Sequence, residues 1–228
     1  MLSAYYQQQD DKVSFTREQG SGFAKALADD FNPLHDVDAK RFCVPGDLLF
    51  SLVLDKYGVS EKMNFSFLGM VTDAVELKMP VAAKALEFSD GDKAYLAVSR
   101  SGQSSQNPEL IENLIRAYVA FSGTAFPHVI VPLMAEQDAM ISPKRPMVMY
   151  QSMAIELDRL DICAPTLAPS KPSFNYEGKR GSITLRFNLI ENDEIVGRGE
   201  KHMLVSGIQS YIEEAMDGLI SAYNDSKL

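Results

Sequence analysis

The apolar positions in the first part of the chain predict two helices of different character. Residues 16–28 have one apolar face, and Thr16 followed by Gln19 has the form of a capping box at the start of a helix. Residues 45–57 are apolar on almost every side and are followed by Gly58, a suitable C-cap residue. Because the second helix has no wide polar face, we expect a sheet to enclose it.

Strand-like segments with alternating apolar and polar residues follow in both halves. They are residues 63–68, 74–79, 84–88 and 94–99 in the first half, and 148–157, 173–176, 182–189 and 195–205 in the second. Amphipathic helices are predicted over residues 108–122 and 211–223, and a proline-containing connection spans 127–146. The repeated order of one helix and four strands predicts an α+β protein built from two similar units.

The composition is that of a folded protein with an acidic surface. Of the 228 residues, 46% are hydrophobic and 23% are charged, and the net charge is −9. A nucleic-acid partner is not expected, because binding a phosphate backbone needs a basic stripe and none is present. No apolar run approaches the roughly 18 to 20 residues of a transmembrane helix, and the N-terminus lacks the form of a signal peptide. We therefore expect a cytoplasmic protein with no membrane span.

The cysteines and two of the three histidines do not indicate a metal site. Cys43 and Cys163 are far apart, lie in no Cys-x-x-Cys pair and have no histidine at ligand spacing, so two free thiols are expected. His128 and His202 have no carboxylate or serine at suggestive spacing and are expected to be structural or solvent-facing. A Gly-rich phosphate loop and a nucleophile elbow are also absent from the sequence.

The candidate chemistry lies in the turn that follows the first helix. Asp30 and His35 are five residues apart, and Pro33 between them restricts its own φ and pushes Asn32 toward extended geometry. A carboxylate and an imidazole held in this way can face one site, as a general acid/base pair requires. The alternative is structural: an Asx-type turn ends the helix, and the histidine only hydrogen-bonds a carbonyl.

This turn resembles the hydratase motif of the MaoC-like, (R)-specific enoyl-CoA hydratases, a family with the hot-dog fold. The family pattern runs roughly Gly/Glu-Asp-x-Asn-Pro-Leu-His, and the matching residues are Asp30, Asn32, Pro33, Leu34 and His35. The likeness extends to residues 15–18 and 23–24 upstream, and to 41–42 and 46–49 downstream. It implies a double hot-dog, with residues 1–105 as the first unit and 106–228 as the second.

The resemblance also implies an activity and a set of site residues. Asp30 and His35 would be catalytic and would add one water across the double bond of a trans-2-enoyl thioester, which makes the protein a lyase. Gly46, at the start of the central helix, would supply the backbone N–H that stabilises the thioester oxygen, while Asn32 and Pro33 would support the turn. The substrate would be an acyl thioester of coenzyme A or of acyl carrier protein, with no cofactor. The sequence does not define the oligomeric state, and a homodimer is compatible with it.

Two residues beside Gly46 depart from the family pattern. Pro45 replaces a common histidine, and Asp47 replaces a hydrophobic residue, so that a carboxylate adjoins the expected donor. Two other interpretations therefore stay open: an acyl thioesterase in which a carboxylate directs water at the carbonyl, and a non-catalytic protein, which either binds acyl thioesters or lipids or is a degenerate hot-dog protein. The Lys-Arg pairs at 144–145 and 179–180 are the best candidates for binding the phosphates of coenzyme A.

Overall fold

Antiparallel strands dominate the computed structural model, which describes residues 2–143 and 147–227. In chain order the strands are β1 (Gln7–Gln9), β2 (Lys12–Ser14), β3 (Val59–Phe67), β4 (Leu77–Lys78), β5 (Ala85–Ser89), β6 (Ala94–Ser105), β7 (Ala139–Ile141), β8 (Met147–Leu157), β9 (Thr166–Glu177), β10 (Arg180–Glu191), β11 (Glu194–Ser206) and β12 (Ile208–Ser210). Ten of them form one sheet in the order β1-β2-β4-β5-β6-β3-β8-β11-β10-β9, and β7 pairs with β12 in a small second sheet.

The described residues also form five α-helices. They are α1 (Arg17–Ala26), α2 (Gly46–Tyr57), α3 (Pro108–Gly123), α4 (Val131–Ala135) and α5 (Glu213–Asp225). Short 3-10 turns occur at Leu2–Ala4 and Pro33–His35, and a π-helical turn at Phe126–Ile130 lies between α3 and α4. Within residues 2–143 and 147–227, no single helix is long and apolar enough to cross a membrane.

Helices α2 and α3 lie in the core, where the sheet encloses them. Residues 48–54 of α2 are all buried, and α3 buries the face that contains Tyr118. The two halves of the sheet join where β3 pairs with β8, with Phe65 opposite Met153. A central helix enclosed by an antiparallel sheet is the hot-dog unit, so the predicted α+β double hot-dog is confirmed.

One hydrophobic core runs through both halves of the sheet. Phe50 of α2 packs against Phe65 of β3 and Tyr118 of α3, with ring centroids 5.2 and 4.4 Å away. Tyr118 in turn lies 6.0 Å from Phe187 of β10, centroid to centroid. Because these rings connect both central helices to strands of both halves, the two halves bury their apolar surface together.

The local sequence signals predicted the helices well. Helices α1, α2, α3 and α5 begin and end within two residues of their predicted bounds. Thr16 and Gln19 form the expected capping box, and Gly58 follows α2 with a φ of 74°. The strand predicted over 74–79 is shorter, because only the two residues of β4 pair with neighbours.

Three features differ from the sequence-based predictions. The β1–β2 hairpin was not predicted, and β9 extends well beyond 173–176. Proline has no backbone N–H to donate to a neighbouring strand. Because β9 is an edge strand, Pro169 and Pro172 can lie within it with the missing N–H facing the open edge of the sheet. The connection over 127–146 contains α4 and β7, since apolar residues such as Met134 pack into a second core cluster.

Candidate active site

Residues 30–35 form the turn that resembles the hydratase motif, and we call them the motif turn. Polar side chains within it define its backbone conformation. Oδ1 of Asp30 accepts a hydrogen bond from the Asn32 N–H at 3.0 Å, and Oδ1 of Asn32 accepts one from the Leu34 N–H at 3.1 Å. Asn32 thereby caps the 3-10 turn, whose first residue is Pro33. The segment between Asp30 and His35 is therefore held by contacts of its own side chains.

Asp30 and His35 face each other across this turn. Oδ2 of Asp30 lies 3.7 Å from Nε2 of His35. Nδ1 of His35 lies 2.7 Å from the carbonyl oxygen of Cys43, which can only accept, so in the neutral ring Nδ1 carries the proton and Nε2 has the free lone pair. His35 is 8% exposed and the Asp30 side chain is 26% exposed, so the pair lies where the core meets solvent.

Burial raises the pKa of Asp30 above its usual value of 3.8. His35 and the hydrogen bond from the Asn32 N–H lower the pKa of this carboxyl, but they do not offset the desolvation. Asp47 and Lys201 also contribute, the first raising and the second lowering the pKa of Asp30. Asp30 therefore ionises less readily than a surface aspartate and is electrostatically connected to two residues outside the motif.

Gly46 is the first residue of α2 and lies beneath an aromatic ring. A Cβ at this position would lie 2.6 Å from Cδ1 of Tyr150, so no larger residue fits without a shift of that ring. Tyr150 is stacked on Phe67 with a centroid distance of 4.2 Å, which holds the ring in place. The N-cap residue, Pro45, makes no side-chain hydrogen bond to the first turn of α2.

Five polar residues meet beside Gly46, and only the first of them has a sequence position that suggests a role. They are Asp47 of α2, Tyr118 and Ser122 of α3, Tyr150 of β8 and Lys201 of β11, and we call them the polar cluster. Three of the four contributing elements are central to the fold, since α2 and α3 are the core helices and β8 joins the two halves. The polar cluster therefore lies at the junction of the two halves.

Lys201 makes most of the contacts within the polar cluster. Its Nζ donates to Oγ of Ser122, lies 3.5 Å from Oδ1 of Asp47 and lies 4.0 Å from the centre of the Tyr150 ring. Asp47 and Lys201 are 5% and 7% exposed, so their ion pair is shielded from solvent. Even so, Oδ1 of Asp47 has no hydrogen-bond donor among the described residues, because the lysine contact is an ion pair without hydrogen-bond geometry.

The two tyrosines of the polar cluster are neutral hydrogen-bonding groups. Their hydroxyls, on Tyr118 and Tyr150, are hydrogen-bonded to each other. Burial raises the pKa of both phenols well above the ordinary value of 10, and the charge of Asp47 raises it further. Neither tyrosine contributes a charge near neutral pH.

Among the described residues, the other two histidines and the two thiols make no hydrogen bond to Asp30 or His35, although the backbone carbonyl of Cys43 accepts one from His35. Nε2 of His202 lies 3.0 Å from Oε1 of Glu200, and His128 is exposed. Cys43 and Cys163 are free thiols, and burial raises the pKa of Cys43 to about 11. In the described parts of the chain, no three histidine, cysteine, aspartate or glutamate side chains are placed to hold a metal ion.

The basic pair at 179–180 is exposed at the turn between β9 and β10. Arg180 is paired with Ser206, and the strand rise puts this end of β11 roughly 16 Å from Lys201. The other basic pair, 144–145, lies outside the described residues. Surface cavities of about 500 and 510 Å³ are lined by residues around Cys163 and around Lys179, and Asp30 and the polar cluster line neither of them.

The fold and the site together define a double hot-dog protein with a carboxylate–imidazole pair and a buried polar cluster. The chain belongs to the family described as "Protein of unknown function (DUF3581)", whose model matches residues 1–214. No curated protein matches the chain.

Several solved structures are similar to this chain in fold. The tesB protein of Mycobacterium avium subsp. paratuberculosis is 7% identical with a TM-score of 0.49, covering 90% of this chain and 96% of that one. A MaoC-like dehydratase is 10% identical with a TM-score of 0.43, covering 87% and 97%. A hot-dog protein of Alicyclobacillus acidocaldarius is 7% identical with a TM-score of 0.44, covering 92% and 98%. At these identities and TM-scores the likenesses do not bear on the reaction at this site.

Proposed function

We propose that the Asp30–His35 pair hydrates a trans-2-enoyl thioester to a 3-hydroxyacyl thioester. The observation that carries the proposal is the 3.7 Å separation of Asp30 Oδ2 and His35 Nε2, with the histidine ring oriented by the Cys43 carbonyl. Two acceptors at this distance can receive both hydrogens of one water at ordinary hydrogen-bond lengths. The resemblance of the turn to the hydratase motif favours hydration among the reactions that such a water can perform.

The burial of Asp30 supports its role as the base. Because desolvation raises the pKa of this carboxyl, its ionised form takes up a proton more readily than a surface aspartate does. As the water oxygen bonds to C3 of the enoyl group, the water gives one proton to Asp30 and keeps the other as the hydrogen of the new hydroxyl group. The protonated Asp30 then gives a proton to C2 and is ionised again. One water is added in total, and no cofactor or further reactant is consumed.

Helix α2 supplies positive potential for the thioester oxygen, which becomes enolate-like as water adds. The first-turn N–H groups of α2 receive no side-chain cap from Pro45, and the helix dipole favours negative charge at this end. We assign the Gly46 N–H as the donor to that oxygen. The neighbouring carboxylate of Asp47 is paired with Lys201, which reduces its opposition to negative charge there.

Loss of the conjugated thioester absorbance of a short or medium trans-2-enoyl-CoA tests the proposal. Asp30→Asn and His35→Ala should each lower the rate by about two to four orders of magnitude with little change in melting temperature, because a general acid/base group acts on the barrier. Asp38→Asn, at an exposed carboxylate nearby, and His128→Ala, at an exposed histidine, are the matched controls and should keep the wild-type rate.

Other outcomes would replace the proposal with one of its alternatives. Release of free thiol from an acyl-CoA, lost in the same two variants, would assign a thioesterase. A melting temperature raised by acyl-CoA without turnover would assign a binding protein, since a ligand of the native state must stabilise it. If neither occurs and both variants lose about 1 kcal/mol or more of stability, the pair only braces the turn.

A further inference from the structure

The polar cluster contains two buried charges that the proposed reaction does not use directly. Asp47 and Lys201 are both shielded from water, and removing each ion from water carries a desolvation penalty that an ion pair often fails to recover. Apolar residues of similar volume commonly stabilise a core as well as such a pair does. The stability of the fold therefore does not explain why these charges lie here.

The incomplete pairing of Asp47 points in the same direction. Oδ1 of Asp47 has no hydrogen-bond donor among the described residues, although Nζ of Lys201 is 3.5 Å away. A pair that served only the fold would be expected to complete its hydrogen bonds, because an unsatisfied buried acceptor is destabilising. The polar cluster adjoins the motif turn through α3, because Lys201 Nζ donates to Ser122 and a Cβ on the next residue, Gly123, would lie 3.3 Å from the carbonyl carbon of Asp29. Two opposite charges are therefore kept close to the turn without an optimal contact between them.

We infer that Asp47 and Lys201 are positioning residues that set the protonation of Asp30 through their opposite charges. The inference rests on the proposed function, because its consequence is a carboxylate poised to accept a proton from water. The two charges act in opposite directions on Asp30: Asp47 disfavours its ionised form and Lys201 favours it. Neither residue needs to touch the substrate.

The other groups that face Asp30 do not supply the same control. His35 belongs to the same turn and is the reacting partner. Tyr223 of α5 is neutral near pH 7, because burial raises its pKa to about 12. Asp29 points to Lys227, with Oδ2 and Nζ 2.5 Å apart, so its charge is compensated at the surface. Among the described residues, Asp47 and Lys201 are thus the charged groups outside the turn that act on Asp30.

The test measures the titration of Asp30 directly, so that it does not depend on catalysis. Carboxyl carbon NMR of the whole protein gives the titration midpoint of Asp30, whose resonance is assigned from its absence in Asp30→Asn. Asp47→Asn should lower this midpoint and Lys201→Met should raise it, each by more than the exposed control variants do, because each removes one of the two opposing charges. The double variant should return toward the wild-type midpoint, because both charges are removed.

Lys201→Met alone leaves the buried charge of Asp47 unpaired, which can prevent folding. The double variant removes both charges, so the test stays informative in that case. The effect of Lys201 is then the difference between Asp47→Asn and the double variant. Asp193→Asn and Lys171→Met, at exposed positions, are matched charge controls and should leave the midpoint unchanged.

Shifts of the same sign in both single variants, or no shift in either, would overturn the inference. Opposite shifts in a protein without hydratase activity would support charge control of Asp30 while removing the proposed reaction. If the wild type is active, the acid limb of kcat/KM against pH should move with the NMR midpoint in each variant. An acid limb that stays in place while the midpoint moves would contradict the inference.

Discussion

At the scale of single residues, Asp30 shows how one physical cause affects both chemistry and stability. Desolvation raises the pKa of its carboxyl, which makes the ionised form a stronger base. The same desolvation makes that ionised form unfavourable in the folded protein, even with a hydrogen bond from the Asn32 N–H. At this residue a stronger base is therefore obtained at the expense of stability, a trade-off that proteins commonly show.

Asp30→Asn should change how the free energy of unfolding depends on pH. Because the pKa of Asp30 is higher in the folded protein than its usual 3.8, the folded form holds its proton to a higher pH than the unfolded chain does. The stability contributed by this proton is present at low pH and is lost as the pH rises through the interval between the two pKa values. The asparagine variant should lack this loss, so its free energy of unfolding at neutral pH should equal or exceed that of wild type.

Urea unfolding between about pH 4 and about pH 8 measures this effect. Asp38→Asn, at an exposed carboxylate, is the control and should follow the wild-type curve. A variant that is clearly less stable than wild type at neutral pH would show that Asp30 mainly braces the turn.

At the scale of elements, the motif turn is held by helices from the end of the chain and from the core. The hydroxyl of Tyr223 on α5 lies 3.5 Å from the Phe31 N–H, 3.2 Å from the Asp29 carbonyl and 3.3 Å from the Gly123 carbonyl. Gly123 itself allows α3 to approach the end of α1, since a Cβ there would overlap the Ala28 carbonyl oxygen. The position of Asp30 thus depends on α1, α3 and α5 together.

Tyr223→Phe tests this arrangement at a single hydroxyl. The ring contacts with Phe31 and Phe126, at centroid distances of 6.4 and 5.4 Å, should persist, while the hydrogen bonds to the turn are lost. We expect a loss of about 1 kcal/mol in the free energy of unfolding and a lower rate at the site, because the turn is less well defined. Tyr176→Phe removes a hydroxyl from an exposed residue and is the control. Equal stability and rate in the two variants would contradict a role of α5 in holding the turn.

At the scale of the whole molecule, the two halves share a sheet and a core. Strand β3 pairs with β8 across the junction, and buried residues of α2 and α3 belong to one hydrophobic cluster. Either half alone would expose the strand edge and the apolar surface that the other half covers. Folding of one half therefore stabilises the other.

This arrangement predicts one cooperative unfolding transition. In native-state hydrogen exchange, the slowest amides of α2, α3, β3 and β8 should give the same free energy of opening, equal to that of global unfolding measured in urea. A lower value confined to α3 and β8 would show that the second half unfolds independently. The short β7–β12 sheet, which is separate from the large one, should open at lower free energy and serves as the internal comparison.

The elements and the motif turn were predictable because they depend on interactions between near neighbours in sequence. The Thr16 and Gln19 cap defines the start of α1, and the apolar character of α2 on all sides requires burial. Asp30 and His35 approach each other within one short turn stiffened by Asn32 and Pro33, so their proximity needs no distant partner. The fold class followed from the order of these elements together with the resemblance of the motif.

The sequence by itself therefore determined the helices, most strands and the proximity of Asp30 and His35, whereas only the tertiary structure decided the surroundings of that pair. A lysine in a strand ordinarily reads as solvent-facing, yet Lys201 is paired with Leu185 on one side and Met153 on the other, both buried. The sequence predicts only that Tyr118 is a core residue. The packing of α2 against α3 brings it toward Asp47. The physical reason is that periodicity encodes the face a residue occupies, while strand register and helix packing, set by contacts distant in sequence, decide which residues meet there.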